Sequence, residues 1–466
     1  MYLEILLVST ATLIWWFRSL LREENGPKLP QLIFKEESRF TKEILDKVTI
    51  LQEKYVTPLL WGRNGQWQTL AYGILGHRKS SRWRAKGYRE TFQCMDGATI
   101  SFDVFEPIVK HSSGADLTFL ICPGIANSCE SVYIRSFVQN AQNCGFRCYV
   151  LNHLGVVASV KLTSARLFSY GGTAEFAAMV DCALRQHPSS RAIALGFSMG
   201  GNVITCWLGE SKEHQKKVLC AISVCQGYDI IRSRPVLLQW AGLRRAYMFS
   251  MARNMKRILA RNRDILFSPE VLTRHPEIDI KAVFGATTLL EIDEYYTRVL
   301  KGYSSVDEMY VAESSAHKLR EIHIPIMFVN ALDDPIVPEE LLDCVKDYAS
   351  THDNAIAVIT QHGGHLGFFE GDSYLIPKPV SWLCRLVIQY TESVLTNEPQ
   401  RSDKLANGHA APMHRGDGAA PMHRGDCAAP MHRGDGDGPA VRSAKLLFTS
   451  PAAGRNFSDT PENPLD

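Results

Sequence analysis

A serine, an aspartate and a histidine occur in this chain where three turns each follow a short apolar run. The serine lies in Leu195-Gly196-Phe197-Ser198-Met199-Gly200-Gly201-Asn202. Before it, Arg191-Ala192-Ile193-Ala194 reads as a buried strand. After it, Val203 to Gly209 reads as a helix. A Gly-x-Ser-x-Gly at a strand-to-helix junction can hold its serine in a tight, strained turn. Glycine two residues before and two after leaves space that a side chain would fill. The helix N-terminus then aims free amides and the positive end of its dipole at the serine oxygen.

A hydroxyl is a poor nucleophile until a base takes its proton. The run Ile324 to Asn330 ends in Ala331-Leu332-Asp333-Asp334-Pro335-Ile336-Val337-Pro338, and the run Ala355 to Thr360 ends in Gln361-His362-Gly363-Gly364-His365-Leu366-Gly367-Phe368. Serine, aspartate and histidine therefore follow one another in the order that nucleophilic acyl transfer uses in a strand-and-helix fold. Asp334 opens Asp-Pro-Ile-Val-Pro, where proline fixes the turn, and is taken as the orienting carboxylate. Asp333 is left to hold the loop. His365 follows two glycines that let the loop swing, and is taken as the base; His362 is read as structural. The oxyanion donors expected are the backbone amides of Met199 and of Ile125, the latter in Pro123-Gly124-Ile125. His362-x-x-His365 lacks a third metal ligand, so neither a metal nor a cofactor is expected. His111 and Asp116 form a His-x4-Asp, a spacing seen in some acyltransferases, but they lie in a polar turn and read as an exposed hairpin loop.

The elements that must position these residues alternate. Leu117 to Cys122 is a continuous apolar run, as a buried parallel strand requires. Phe146 to Leu151, the strand before Ser198, Lys217 to Cys225, Ile324 to Asn330 and Ala355 to Thr360 follow. Thr173 to Leu184 and a closing segment, Ile376 to Leu395, have helical spacing. Thr99 to Phe105 alternates and reads as an antiparallel edge strand. The pattern predicts an α/β fold with a mostly parallel sheet between two helical layers, spanning residues 96–396. From about 226 to 322 the alternation breaks into a helix-like stretch rich in Met, Arg and aromatics, which reads as a cap over the site. Residues 30–95 read as an amino-terminal arm. It carries Trp61 and Trp67, whose exposure would be costly, so it is expected to pack on the core.

At the amino terminus, Ile5 to Phe17 is apolar and uncharged, and Leu20 and Leu21 extend it. Helical residues 5–21 would reach about 25 Å, short of but close to a hydrocarbon core of about 30 Å. Residues 1–22 are therefore expected to be a membrane anchor. Arg18, Arg22 and Lys28 on its carboxyl side favour a cytosolic domain, and the orientation of the anchor stays open at this level. After residue 397 the composition shifts. Ala-Ala-Pro-Met-His-Arg-Gly-Asp recurs at 410–417, 419–426 and 428–435 without any apolar face, so residues 397–466 are expected to be a disordered tail.

The totals bound the rest. The chain has 466 residues, 45% hydrophobic and 21% charged, with a net charge of +2. That balance gives no reason to expect a nucleic-acid partner. The 12 cysteines form no Cys-x-x-Cys, which leaves zinc and thioredoxin-like readings without support and favours reduced thiols.

These stretches together resemble the α/β-hydrolase domain proteins of the membrane-anchored acylglycerol lipase and esterase branch. The resemblance is carried by Pro58 to Gly62, Ile121 to Asn127, Val150 to Gly155, Gly196 to Asn202, Val224 to Tyr228 and His362 to Glu370. It spans roughly residues 40–395. It implies an α/β-hydrolase fold and a serine esterase acting on monoacylglycerols and other lipid esters at a membrane. The family's nucleophile, acid and base fall on Ser198, Asp334 and His365, and no cofactor is implied. Two alternatives remain at this level: an acyltransferase using lipid acceptors, and a hydrolase-like receptor that binds a steroid or other lipid regulator.

Overall fold

The computed structural model describes residues 26–71, 87–240 and 243–407, together with Thr10, the backbone alone being described for 398–407. Nine strands form one sheet in the order β1-β9-β8-β7-β6-β4-β5-β3-β2. They are β1 (Gln31–Ile33), β2 (Tyr88–Gln93), β3 (Thr99–Phe105), β4 (Leu117–Cys122), β5 (Arg147–Asn152), β6 (Arg191–Phe197), β7 (Cys220–Val224), β8 (Ile326–Ala331) and β9 (Ala355–Thr360). The six strands from β5 through β4, β6, β7, β8 to β9 run parallel; β3 pairs antiparallel with β5 and β2 antiparallel with β3, and on the other side β1 pairs antiparallel with β9.

The parallel strands are apolar at every position because both sheet faces are covered. On β4, Phe119 and Ile121 join one buried cluster, and Leu120 and Cys122 join another. The first cluster is completed by α1 (Arg39–Lys47), α2 (Val132–Asn143) and the closing helix. The second is completed by α3 (Ala174–Gln186), α4 (Met199–Glu210) and the helix Asp343–Thr351. Ala192, Ala194 and Ala221 line that second face, and such small side chains let α4, with the buried Trp207, approach closely.

Between β7 and β8 the chain is helical, and its longest helix is α5 (Arg244–Arg261). This segment has its own apolar cluster, in which Met255, Ile258, Phe267, Val283 and Tyr296 meet Leu154, Leu167 and Phe168 of the β5–α3 loop. Polar contacts fasten the two. The Glu313 carboxylate accepts from Ser169 Oγ at 2.8 Å and from the Gly171 amide at 2.9 Å. Beyond β8 come α6 (Asp343–Thr351) and α7 (Trp382–Asn407).

Four expectations change. The arm is more than packing, because residues 30–95 supply both outermost strands, β1 and β2. Thr99–Phe105 is antiparallel as expected but is not an edge, since β2 lies outside it. The closing helix starts at Trp382 instead of Ile376, and its backbone runs through 397 to Asn407, where a tail was expected. Trp67 stays half exposed. Apart from Thr10, the expected anchor at 1–22 lies outside the described residues, and so do the repeats at 410–435. Among the described residues no helix is long and apolar enough to cross a membrane.

Candidate active site

Four loops leave the carboxyl ends of the neighbouring parallel strands β4, β6, β8 and β9, and they meet around Ser198. The serine lies between β6 and α4 with φ 54° and ψ −120°. For a residue with a side chain, such a conformation costs about 1–3 kcal/mol. The surrounding backbone enforces it. Ser198 donates its amide to the Val224 carbonyl at 2.7 Å. A Cβ on Gly196 would stand 2.3 Å from the Gly200 carbonyl oxygen, and one on Gly200 would stand 2.0 Å from that of Cys122. Both positions therefore admit only glycine.

His365 bridges the other two groups. Its Nδ1 is 2.9 Å from Asp334 Oδ2, and its Nε2 is 2.8 Å from Ser198 Oγ. A carboxylate only accepts, so Nδ1 carries the proton, and in the neutral ring Nε2 is then free to accept from the serine hydroxyl. The Asp334 side chain is fully buried. Its Oδ1 accepts from the amides of Ile336 at 2.7 Å and Val337 at 3.0 Å, so the turn begun by Pro335 fixes the carboxylate's orientation. Asp333 holds the loop instead. Its carboxylate accepts from the Gly364 amide at 2.8 Å and approaches His362 Nδ1 at 3.3 Å. The arm completes the clamp: Thr69 Oγ1 accepts from the His365 amide at 2.9 Å, and Gln68 Oε1 accepts from the Phe369 amide at 3.0 Å.

The loop after β4 presses against the serine; a Cβ on Gly124 would lie 3.3 Å from Ser198 Cβ. The Gly124 amide is already used, donating to Tyr133 Oη at 2.8 Å. His153 Nε2 donates to the Pro123 carbonyl at 3.0 Å. The peptide between Pro123 and Gly124 is thus pinned from both ends. Ala126 adopts a left-handed φ of 54°. Among the described residues, outside the bonds within helices and strands, the amides of Ile125 and Met199 donate to no backbone carbonyl. Burial lowers the His153 pKa to about 4, against the raising effect of its hydrogen bonds to the loop, so this imidazole is neutral near pH 7.

Cys225, at the end of β7 with φ 51°, brings its thiol within 4.8 Å of the Asp334 and His365 donor atoms. Burial, followed by the Asp334 charge, pushes its pKa well above the ordinary thiol range. It therefore presents a proton to the carboxylate, not a thiolate to a metal. His111 and Asp116 are not part of this site. They precede β4, at the opposite end of the sheet from Ser198. The expected exposed loop is corrected for His111, which is buried edge-on against Phe146 at 4.8 Å. Asp116 pairs with Arg147 at 2.6 Å.

Comparison with known proteins agrees with this architecture. A family profile described as "alpha/beta hydrolase fold" matches residues 118–277. The chain is 42% identical over 380 residues to monoacylglycerol lipase ABHD2 of Mus musculus, covering 81% of this chain and 89% of that one. The chain belongs to the α/β-hydrolase family. It is also 44% identical over 347 residues to abhydrolase domain-containing protein 2 of Drosophila melanogaster, with 74% and 86% of the two chains covered. Over 374 residues it is 24% identical to phospholipase ABHD3 of Homo sapiens, covering 79% and 85%. For this α/β-hydrolase the profile match ends before Asp334 and His365, so their placement beside Ser198 rests on the geometry above. Reading the sequence alone missed the contributions of His153, Tyr133, Cys225, Gln68 and Thr69. His153 and Cys225 end parallel strands at the edge that carries the serine, which was a usable signal. Tyr133 sits inside an ordinary amphipathic helix, and Gln68 and Thr69 lie in the arm, so nothing marked them.

Proposed function

We propose that this α/β-hydrolase is a serine hydrolase that cleaves carboxylic esters of lipids, monoacylglycerols first among them, at a membrane surface. The observation that carries the reading is the continuous hydrogen-bond line from Ser198 Oγ through His365 to Asp334, at 2.8 and 2.9 Å. His365 Nε2 takes the serine proton as Oγ attacks the ester carbonyl, and Asp334 stabilises the imidazolium that forms. The Ile125 and Met199 amides receive the developing oxyanion, each worth about 3 kcal/mol in the transition state. His365 returns the proton to the leaving alcohol. Water, deprotonated by the same ring, then resolves the acyl-enzyme. The names of the relatives support a lipid ester as substrate. The apolar segment at residues 5–17 supports a membrane setting.

The test is a fluorophosphonate probe and a panel of monoacylglycerols, diacylglycerols and lysophospholipids, applied to wild type and Ser198→Ala. Wild type should label and turn over monoacylglycerol, and Ser198→Ala should lose labelling and about 10⁴-fold or more of its turnover. Equal labelling of both proteins would overturn the reading.

A further inference from the structure

The helical segment between β7 and β8 carries large apolar side chains that stay exposed among the described residues, with the Arg245 guanidinium over the Trp240 ring at 5.6 Å. Trp240 is 72% exposed, Leu243 53% and Phe249 50%. Leu243 holds a left-handed φ of 60°, a strained conformation for leucine, in the turn that leads into α5. Residues 65–71 of the arm add Trp67 at 50% and Leu70 at 41%. The two groups belong to one rim. Tyr247 Oη donates to Gln66 Oε1 at 2.7 Å, which fastens the first turn of α5 to the arm helix. That arm helix lies on the His365 loop through Thr69 Oγ1, and a Cβ on Gly65 would strike the Asp333 carbonyl. The exposed apolar group is therefore tied, through residues 65–71, to the loop that carries His365.

Charge identifies what this rim faces. In its 18 residues α5 holds Arg244, Arg245, Arg253, Lys256, Arg257 and Arg261, and no carboxylate. Among the described residues none of these six is ion-paired with an acid. Lys256 turns inward to the carbonyls of Phe284 and Ala286, and Arg261 to those of Gly155 and Val156. Arg253 and Arg257 are exposed and follow Ala246 and Phe249 at helical spacing, so they share the outer face with Phe249. Aromatic and aliphatic groups at one end of a face and arginines along it match the layers of an anionic bilayer, with hydrocarbon below and phosphate above.

We infer that this rim is a docking surface for an anionic phospholipid bilayer. Trp240, Leu243, Phe249, Trp67 and Leu70 enter the interface, and Arg253 and Arg257 meet headgroup phosphates. The inference rests on the lipid-ester reading, because docking there holds the His365 loop beside the bilayer that would carry the ester. It is separate from any anchor at residues 1–22, which would tether the chain but leave its orientation free.

The test is hydrogen exchange of the full chain with phosphatidylcholine vesicles, with and without phosphatidylserine. Wild type, Arg253→Gln/Arg257→Gln and Trp240→Ser/Phe249→Ser are compared. Vesicles containing phosphatidylserine should slow exchange at 243–261 and 65–71 in wild type. The arginine double variant should need on the order of 25-fold more lipid for the same protection, at about fivefold per arginine. The apolar double variant should lose protection at both segments, while each variant keeps its fluorophosphonate labelling. No protection in wild type, or equal protection in all three proteins, would overturn the inference. So would a dimer seen by sedimentation that Trp240→Ser/Phe249→Ser dissociates without altering vesicle protection, which would assign the rim to a second copy. Protection does not depend on turnover. A chain that docks but cleaves no lipid ester would count against the substrate reading alone.

Discussion

The carboxyl edge of the sheet and the helical segment above it are built in different ways. At the edge, backbone fixes the geometry. Ser198 is held at φ 54° by an amide bond to Val224, Asp334 by two amides, and the Pro123–Gly124 peptide by Tyr133 and His153. Glycines there have carbonyls within 2.0–2.3 Å of where a Cβ would stand. In the segment between β7 and β8, side-chain packing sets the geometry. An apolar cluster gathers short helices around Met255, Phe267 and Tyr296, and large apolar groups are left outside. Chemistry at the edge requires tenths of an ångström, since misplacing a reacting group by about 1 Å costs on the order of 100-fold in rate. A surface that meets lipid needs only the right composition on the right side. The first region should therefore fail sharply on small changes, and the second should bend.

The largest effect expected is at Asp334. Asp334→Asn keeps size and shape, but its amide can turn an N–H toward His365 and favour the wrong tautomer. Turnover of a soluble ester should fall about 10⁴-fold with the thermal transition little changed. Next comes Gly200→Ala. The added methyl would lie 2.0 Å from the Cys122 carbonyl oxygen, which is backbone and cannot swing away. A loss of about 3 kcal/mol or more is expected, read by urea denaturation. If Gly200→Ala unfolded at the wild-type midpoint, the edge would be softer than its geometry states.

The same division explains what the sequence made legible. Gly196-Phe197-Ser198-Met199-Gly200 could be read because a strained turn leaves glycines in the sequence. Asp334 and His365 could be read because Pro335, Gly363 and Gly364 mark loops that change direction at strand ends. The parallel strands were legible because burial on both faces leaves unbroken apolar runs, and Leu117–Cys122 and Ala355–Thr360 match their expected bounds residue for residue. Contacts distant in sequence were not legible. The edge strand β1 has three residues and pairs with β9 more than 300 positions later, so three residues carried too little pattern to announce it. Thr69 and Gln68 act through hydrogen bonds to a loop about as far away. The hairpin partner β2 was absorbed into the arm because its burial alternates weakly.

Two titrating groups, one in each region, should respond to pH with opposite signs. His153 is buried at the edge, and its pKa of about 4 lies below the ordinary value near 6.5. Below pH 6.5 the unfolded chain takes up a proton that the folded chain refuses until about pH 4. Stability should therefore fall as pH drops through that window, by about 3 kcal/mol at this site. Asp293 lies in the helical segment, where burial raises its carboxyl to about 6, opposed by the hydrogen bond from Tyr310 Oη at 2.8 Å. Its contribution is fully present below pH 3.8 and is lost as pH rises through 6. Denaturation midpoints between pH 4 and 7.5 should show His153→Gln with a shallower acid loss than wild type. Asp293→Asn should be more stable than wild type above pH 6, with the advantage vanishing near pH 4. Parallel curves for either variant and wild type would remove that residue from the account.

The smallest effect expected is at Gly285, and it sharpens the contrast with Gly200 most directly because the chemical change is identical. Gly285 ends a short helix in the segment between β7 and β8, and a Cβ added there would meet nothing within 4 Å. Alanine in a helix is favoured over glycine by about 0.5–1 kcal/mol, because the unfolded chain loses less freedom on folding. Gly285→Ala should therefore leave ester turnover unchanged and raise the denaturation midpoint slightly. The reason lies in what surrounds each Cα. At Gly200 the neighbour is the backbone of β4, locked in the sheet ladder; at Gly285 it is solvent. A stabilising Gly285→Ala beside a crippling Gly200→Ala would place the rigidity of this molecule at the sheet edge. A destabilising Gly285→Ala would mean that the helical segment closes against a surface that the fold by itself leaves open, and the docking rim around Trp240 and Phe249 would be the first place to look for it.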